Sequence, residues 1–425
     1  MATTLEQGTI GGFDPTAAES TSTSDPAPET EPTICEAPCT SLLLSSWTHS
    51  GPSGTRSVAE ILHEPDGSLV FGLQRTDGQL GLVCLSAEGE PLWSAAPGLP
   101  CDDCVLEDIA QHPSGDILLS VTSPASSLPL PPDELPDGPL PPPEDVALGE
   151  ALLARFDVAE GRLAWTQRTV LRRGPNVQPR ATDVVVLDED RLVQIFVDGS
   201  SEEEMIGVLD YRADGTLRQR TVVFDQLGSG EGHSPLVVRG SAGDLVIAHP
   251  YWAPEFEQMR AATWRMIPPD YIRLSHIDLP LTPVDLAVDT AGRRVELSQS
   301  RGTQSVTLLL TSRASSDPER WSTSLPLVST SQTRPVLATG PGDAIYAAAR
   351  TTPRLHPEDP YTVMLEVARW SSAGELQWQA QRPLDMMATD HPLEVVVDDE
   401  QGLIVGTVIQ GQFHVVRYEH ACPCP

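Results

Sequence analysis

The chain reads as an all-β protein: a seven-bladed β-propeller, four antiparallel strands per blade, with the last blade closed by an N-terminal strand. Three observations predict this. A four-strand unit is visible from Val58 to Trp93, variants of it recur along the 425 residues, and the final unit is one strand short. In the first unit VAEIL, SLVFGLQ, LGLVCLS and EPLW are separated by PDG, TDGQ and AEG. Short strands punctuated by glycine-containing turns are the mark of an antiparallel sheet.

The turn after the first strand recurs at Gly67, Gly115, Asp190, Gly243, Gly292, Gly342 and Gly402, the first two 48 residues apart. A second turn glycine has a tryptophan four residues on at Gly89 and Trp93, Gly161 and Trp165, and Gly374 and Trp378. Self-similarity at roughly 40 to 50 residues with four strands per unit is the propeller pattern. The last unit supplies only LEVVVDD, LIVGTVI and FHVVRYEH. Its missing strand is expected at Leu42 to Trp47, LLLSSW, where Trp47 stands in for the other fourth-strand tryptophans. Closure removes the sheet edges that invite aggregation. Residues 41–425 are thus the propeller. Residues 1–40 are expected to be a disordered, acidic Ser/Thr/Pro tether, with too little apolar surface to offset ordering entropy.

The cysteines point to the same closure. Cys35 and Cys39 precede LLLSSW, and Cys422 and Cys424 follow FHVVRYEH, so two pairs converge where the composite blade has two free ends. A disulfide latch there contributes about 5 kcal/mol on the loop-entropy account. The other readings are a surface metal site or free thiols. Cys101 and Cys104 in LPCDDCVL are read as a small loop disulfide, because no second CxxC or HxxxH completes a zinc site. Cys84, on a strand, is expected to be a buried thiol. Disulfides imply an oxidising compartment.

Long insertions fall almost entirely between strands two and three or between blades: 124–149, VDGSSEEEM, HPYWAPEFEQMRAATWRMIPPD and TTPRLHPEDPY. One end of the ring is therefore plain and the other decorated, and loops on a rigid scaffold are where binding resides. Two constellations lie there. A carboxylate recurs seven residues before the turn marker at Glu60, Asp108, Asp183 and Asp285, Glu394 matches if blade seven carries one extra residue in its turn, and Leu236 and Pro335 break the set. Such a set at the channel mouth has the oxygen ligands that suit calcium. The competing reading is structural, a strand-initial carboxylate accepting backbone N–H bonds. The second constellation is the aromatic insertion of blade four, with His249, Tyr251, Trp252, Phe256, Trp264 and Tyr271. FEQMRAATWRM is expected to form a short helix there. The insertion then either grips a protein or glycan partner or packs as a plug.

Composition narrows the function. The net charge is −33, from 60 acidic and 27 basic residues, with no lysine. That field disfavours nucleic acid and anionic membranes, and a lysine-free chain has no Walker loop and no Schiff base. No run of about 18 apolar residues exists. HExxH is absent, and GHSPL at Gly232 lacks the last glycine of a nucleophile elbow.

The segments DVVVLDEDRLVQIF, DLAVDTAGRRVELS, EGRLAW, DGTLRQ and AGELQW resemble strands of the pyrroloquinoline-quinone-like and β-propeller-repeat proteins of bacterial secretomes, over about residues 41–421. The resemblance implies a secreted or lipid-anchored surface scaffold of the kind found in myxobacteria. Quinoproteins of that class carry adjacent cysteines beside the cofactor, and no adjacent pair occurs here. The expected function is a non-enzymatic, monomeric, extracytoplasmic binding module without an obligatory cofactor, although no secretion signal is visible in the sequence. The alternative is a glycan-active or quinoprotein-like enzyme acting at the channel mouth.

Overall fold

A computed structural model describes residues 42–99, 103–124, 148–172, 179–200, 203–227, 235–240, 243–253, 258–268, 271–279, 283–301, 305–313, 319–328, 335–351, 363–384, 393–409 and 411–421. They form seven four-stranded antiparallel sheets. Six are built from four consecutive strands. The seventh is composite: strands Glu394–Val397, Leu403–Ile409 and Gln412–Ala421 are completed by Leu42–Ser53, which pairs with the third of these from Leu42 opposite Ala421 to Ser53 opposite Gln412. The closing strand runs past the expected Trp47 to Ser53. It absorbs two register shifts, one at Ser45/Trp47 and one at Ser50/Ser53.

The first strand of each sheet is the innermost. In chain order these strands are Thr55–His63, Val105–Gln111, Arg180–Asp188, Leu236–Arg239, Pro283–Val288, Val336–Gly340 and Glu394–Val397. Each packs against the inner strands of both neighbouring blades, and the last meets the first, so the ring is closed. The core follows the same repeat. Seven apolar clusters sit one at each interface between adjacent blades. Successive side chains of a strand point to opposite faces, so Ile117, Leu119 and Val121 face blade one while Leu118 faces blade three. With both faces covered, second strands read as continuous apolar runs, and all of Leu69 to Gln74 is buried.

Tight turns at one end hold the hairpins. In the turns after first strands, Gly67, Gly115, Gly243 and Gly292 each donate N–H to the carbonyl three residues back. Gly89, Gly215 and Gly374 do the same in the turns before outer strands. These last three also have positive φ and carry a second constraint: a methyl on them would collide with Trp47, Trp165 and Trp321 of the preceding blade. Those indoles donate to the adjoining turn carbonyls, Trp47 to Ala87 at 3.0 Å, Trp165 to Ala213 at 3.0 Å and Trp321 to Ser372 at 3.2 Å. Trp47 thus does between blades seven and one what its counterparts do elsewhere, as its place in the sequence predicts.

The helix expected within 256–266 is not formed. Gln258–Ile267 is a strand, paired with Leu245–Ala253 from Leu245 opposite Met266 to Ala253 opposite Gln258. Blade four needs a third strand between Leu245–Ala253 and Ile272–Leu279, and that ladder overrides the helical preference of an Ala- and Met-containing run. Cys84 is buried and free, and burial pushes its thiol up to about 11. Cys104 is buried and disulfide-bonded. Cys35, Cys39, Cys101, Cys422 and Cys424 and the tether lie outside the described residues.

Candidate functional site: the acidic channel layer

The five carboxylates picked out by their distance from the turn form one layer across the ring. Glu60, Asp108 and Asp183 lie about midway along their inner strands, and Asp285 and Glu394 lie at or near the start of theirs. Four of them sit at a local irregularity. The strand register shifts between Val58 and Glu60, Leu106 and Asp108, Ala181 and Val184, and Pro283 and Asp285. An extra residue of this kind re-aims the side chain that follows it. Small residues stand opposite several of them, Gly72 across from Glu60, Ser120 from Asp108 and Gly406 from Glu394.

The electrostatics show that the five act on one another. Burial pushes the Glu60 carboxyl up to about 8, with further upward contributions from Asp285 and Asp183 and an opposing one from the Ile61 N–H. Burial raises Asp108, and Glu60 adds to it. Burial and then Asp108 raise Asp183. Glu394 is raised by burial and then by Glu60, Asp285 and Asp108. Asp285 reaches about 6, lifted by burial and held back by the N–H groups of Leu337 and Leu286. Like charges in a poorly solvated ring disfavour full ionisation, so near neutrality part of this layer holds protons.

Two members also bind structure. Asp108 in blade two accepts the Val184 N–H of blade three at 2.7 Å, and Asp285 in blade five accepts the Leu337 N–H of blade six at 2.5 Å. These are the backbone bonds of the structural reading, thrown across a blade boundary. Among the described residues no three His, Cys, Asp or Glu side chains group closely enough to hold a metal ion. Shifted upward to different degrees, these carboxyls form a graded set of proton donors and acceptors.

Three members of the blade-four aromatic set, His249, Trp264 and Tyr271, are buried. Trp264 is 2% exposed within the apolar cluster between blades three and four, and His249 is fully buried. Tyr271, which has a positive φ, is buried and donates its hydroxyl to Asp210 at 2.9 Å. Tyr251 and Trp252 fall at the far end of the Leu245–Ala253 strand, with Trp252 opposite Met259. Phe256 lies outside the described residues.

Sequence reasoning missed a group of cross-strand ion pairs within blades. Arg155 pairs with Asp116 at 2.6 Å, Arg191 with Asp210 at 2.5 Å, and Arg265 with Asp244. Arg417 holds Asp398 at 2.6 Å and Glu400 at 3.0 Å, and also Glu419. Aligning the third strands by the residue before the turn would have revealed them.

No family model and no curated protein matches the chain. Its fold is similar to that of solved structures. The WD40 domain of coronin from Toxoplasma gondii shares 9% identity with a TM-score of 0.50, covering 91% of this chain and 89% of that one. A polysaccharide lyase, an ulvan lyase, shares 8% identity with a TM-score of 0.49, covering 88% and 95%. A protein of unknown function from Dyadobacter fermentans shares 11% identity with a TM-score of 0.44, covering 90% and 98%. At 9% identity the likeness to the coronin WD40 domain speaks for the fold alone.

Proposed function

We propose that this propeller is a non-enzymatic extracytoplasmic binding or scaffold module that presents its loop-bearing end to a protein or glycan partner. One observation carries this reading: the two ends of the ring are built differently. The turns after first and third strands are short and closed by backbone hydrogen bonds, as at Gly67, Gly89, Gly115, Gly215 and Gly374. The connections from second to third strands include the long segments 125–147 and 352–362. A rigid ring with elaboration at one end suits recognition. The backbone register puts Tyr251 and Trp252 near the tip of the blade-four hairpin, at that same end. The secreted-scaffold resemblance and the latch expected between Cys35 or Cys39 and Cys422 or Cys424 support an oxidising location.

The test is capture of partners from glycan arrays and surface-protein libraries, followed by Trp252→Ala. The variant should bind about tenfold more weakly or worse while its melting temperature holds. Unaltered binding by Trp252→Ala would remove this end as the contact. A second reading draws on the channel layer. Glu60, held protonated near neutrality beside other carboxylates, has the poise of a general acid. Release of reducing ends or unsaturated products from a polysaccharide panel, lost in Glu60→Gln, would favour a glycan-active enzyme.

A further inference from the structure

At the plain end of the ring a cavity of about 350 Å³ opens between blades six and seven, its walls including Tyr346, Arg369, Trp378, Glu400, Arg417 and Glu419. The repeat explains why it is there. In blades one, three and six, the turn before the outer strand roofs the tryptophan of the preceding blade. Among the described residues blade seven has no such turn, because its third and outer strands, Gln412–Ala421 and Leu42–Ser53, come from distant parts of the chain.

The charge pattern is broken at the same place. Arg155, Arg265 and Arg369 occupy one position in the third strands of blades two, four and six, in register with Leu118, Val246 and Tyr346. Two residues before those partners stand Asp116, Asp244 and Ala344. The first two arginines are ion-paired with those aspartates, and blade three carries the same pair reversed, as Arg191 and Asp210. In blade six the carboxylate is an alanine. The adjacent Asp343 is engaged elsewhere, by Arg293 at 3.1 Å and by Thr290 at 2.7 Å in blade five. Arg369 makes no ion pair among the described residues, and its Nε is buried without a hydrogen-bond partner. Its guanidinium lies 5.5 Å from the centroid of the Tyr346 ring. The Tyr346 side chain is 1% exposed, and its hydroxyl likewise has no partner among the described residues.

We propose that this cavity binds a hexuronic acid residue, with the ligand carboxylate seated on Arg369 where an aspartate sits in blades two and four. A guanidinium recognises a carboxylate through two parallel N–H bonds. The rest of the wall selects the ring that bears it. Glu400 and Glu419 accept hydrogen bonds and so suit the hydroxyls of a sugar. Arg417 donates to one oxygen of each, and their remaining lone pairs accept sugar hydroxyls, which an unsubstituted aromatic acid does not offer. Trp378, edge-on to Tyr346 with centroids 6.1 Å apart, supplies a flat apolar surface for the C–H face of a pyranose. The volume lies at the small end of the range of about 300–1,000 Å³ typical of ligand sites. A neutral hexose would fit but leave Arg369 unpaired.

The experiment is calorimetric titration of the full chain with glucuronic acid, and with glucose and benzoate as controls. Glucose, which lacks the carboxylate, should bind about tenfold more weakly than glucuronate or worse, the expected worth of one charge-assisted contact, and benzoate, which keeps the carboxylate but has no hydroxyls, should also bind more weakly. Two variants carry the argument. Arg369→Gln removes the cation, and Ala344→Asp supplies the missing internal partner, a pair that blades two and four already accommodate. Each should weaken glucuronate by about tenfold or more while thermal unfolding shows the fold intact. Failure of the wild-type chain to bind glucuronate, equal binding by benzoate, or unchanged binding by Ala344→Asp would each overturn the proposal.

Discussion

Glu60 shows how much a single side chain depends on neighbours far away in sequence. Its carboxyl is raised to about 8 in the folded ring, against the ordinary range near 4.5 in an unfolded chain. A group whose folded value is raised binds more protons when folded, so its contribution to stability is present at low pH and is lost as pH rises toward 8. The melting temperature should therefore fall between pH 5 and pH 8. Glu60→Gln should flatten that slope and raise the melting temperature at pH 8 by about 2 °C or more. A pH series of thermal scans on both proteins measures this, and parallel slopes would refute it. The carboxylate set was legible in sequence because four members stand seven residues before a turn marker and Glu394 stands eight before its own. Its mutual repulsion was not, nor were the bonds from Asp108 to Val184 and from Asp285 to Leu337, since both arise only when separate blades meet.

At the scale of the element, the outer-strand tryptophans act as clasps between blades. Trp47 is the one that also fastens the ring, because its strand comes from the opposite end of the chain to the rest of its sheet. Trp47→Ala should cost about 2–4 kcal/mol through lost packing and one lost hydrogen bond. Amide exchange should speed up along Gln412–Ala421 and in the turn at Ala87, while exchange in blades three to five should not change. Uniform acceleration across all blades would show that Trp47 is merely one contact among many. The closing strand was readable because a unit of three strands demands a fourth. The segment 256–266 misled because Phe256, Met259, Ala262 and Met266 recur at helical spacing, and nothing local reports that blade four requires a strand there. The cavity beside Arg369 was illegible for a related reason. It depends on Ala344 standing where blades two and four carry an aspartate, and, among the described residues, on blade seven having no hairpin turn between its third and outer strands.

Across the whole molecule, charge is the strongest influence. A net −33 destabilises the compact state by self-repulsion. Added salt screens exposed charges beyond about 8 Å at physiological ionic strength, so the melting temperature should rise between low and moderate sodium chloride. A flat or falling response would mean that the pairs around Arg191 and Arg417 already offset that repulsion. The composite blade also has a consequence in time. During synthesis Leu42–Ser53 leaves the ribosome among the first described strands, yet its partner Gln412–Ala421 comes at the end. At about 5–20 residues per second it waits for tens of seconds. For that interval Leu42–Ser53 has no sheet partner while blades one to six emerge in turn without ring closure. The cell must keep the unfinished ring from joining its neighbours until the last strand arrives.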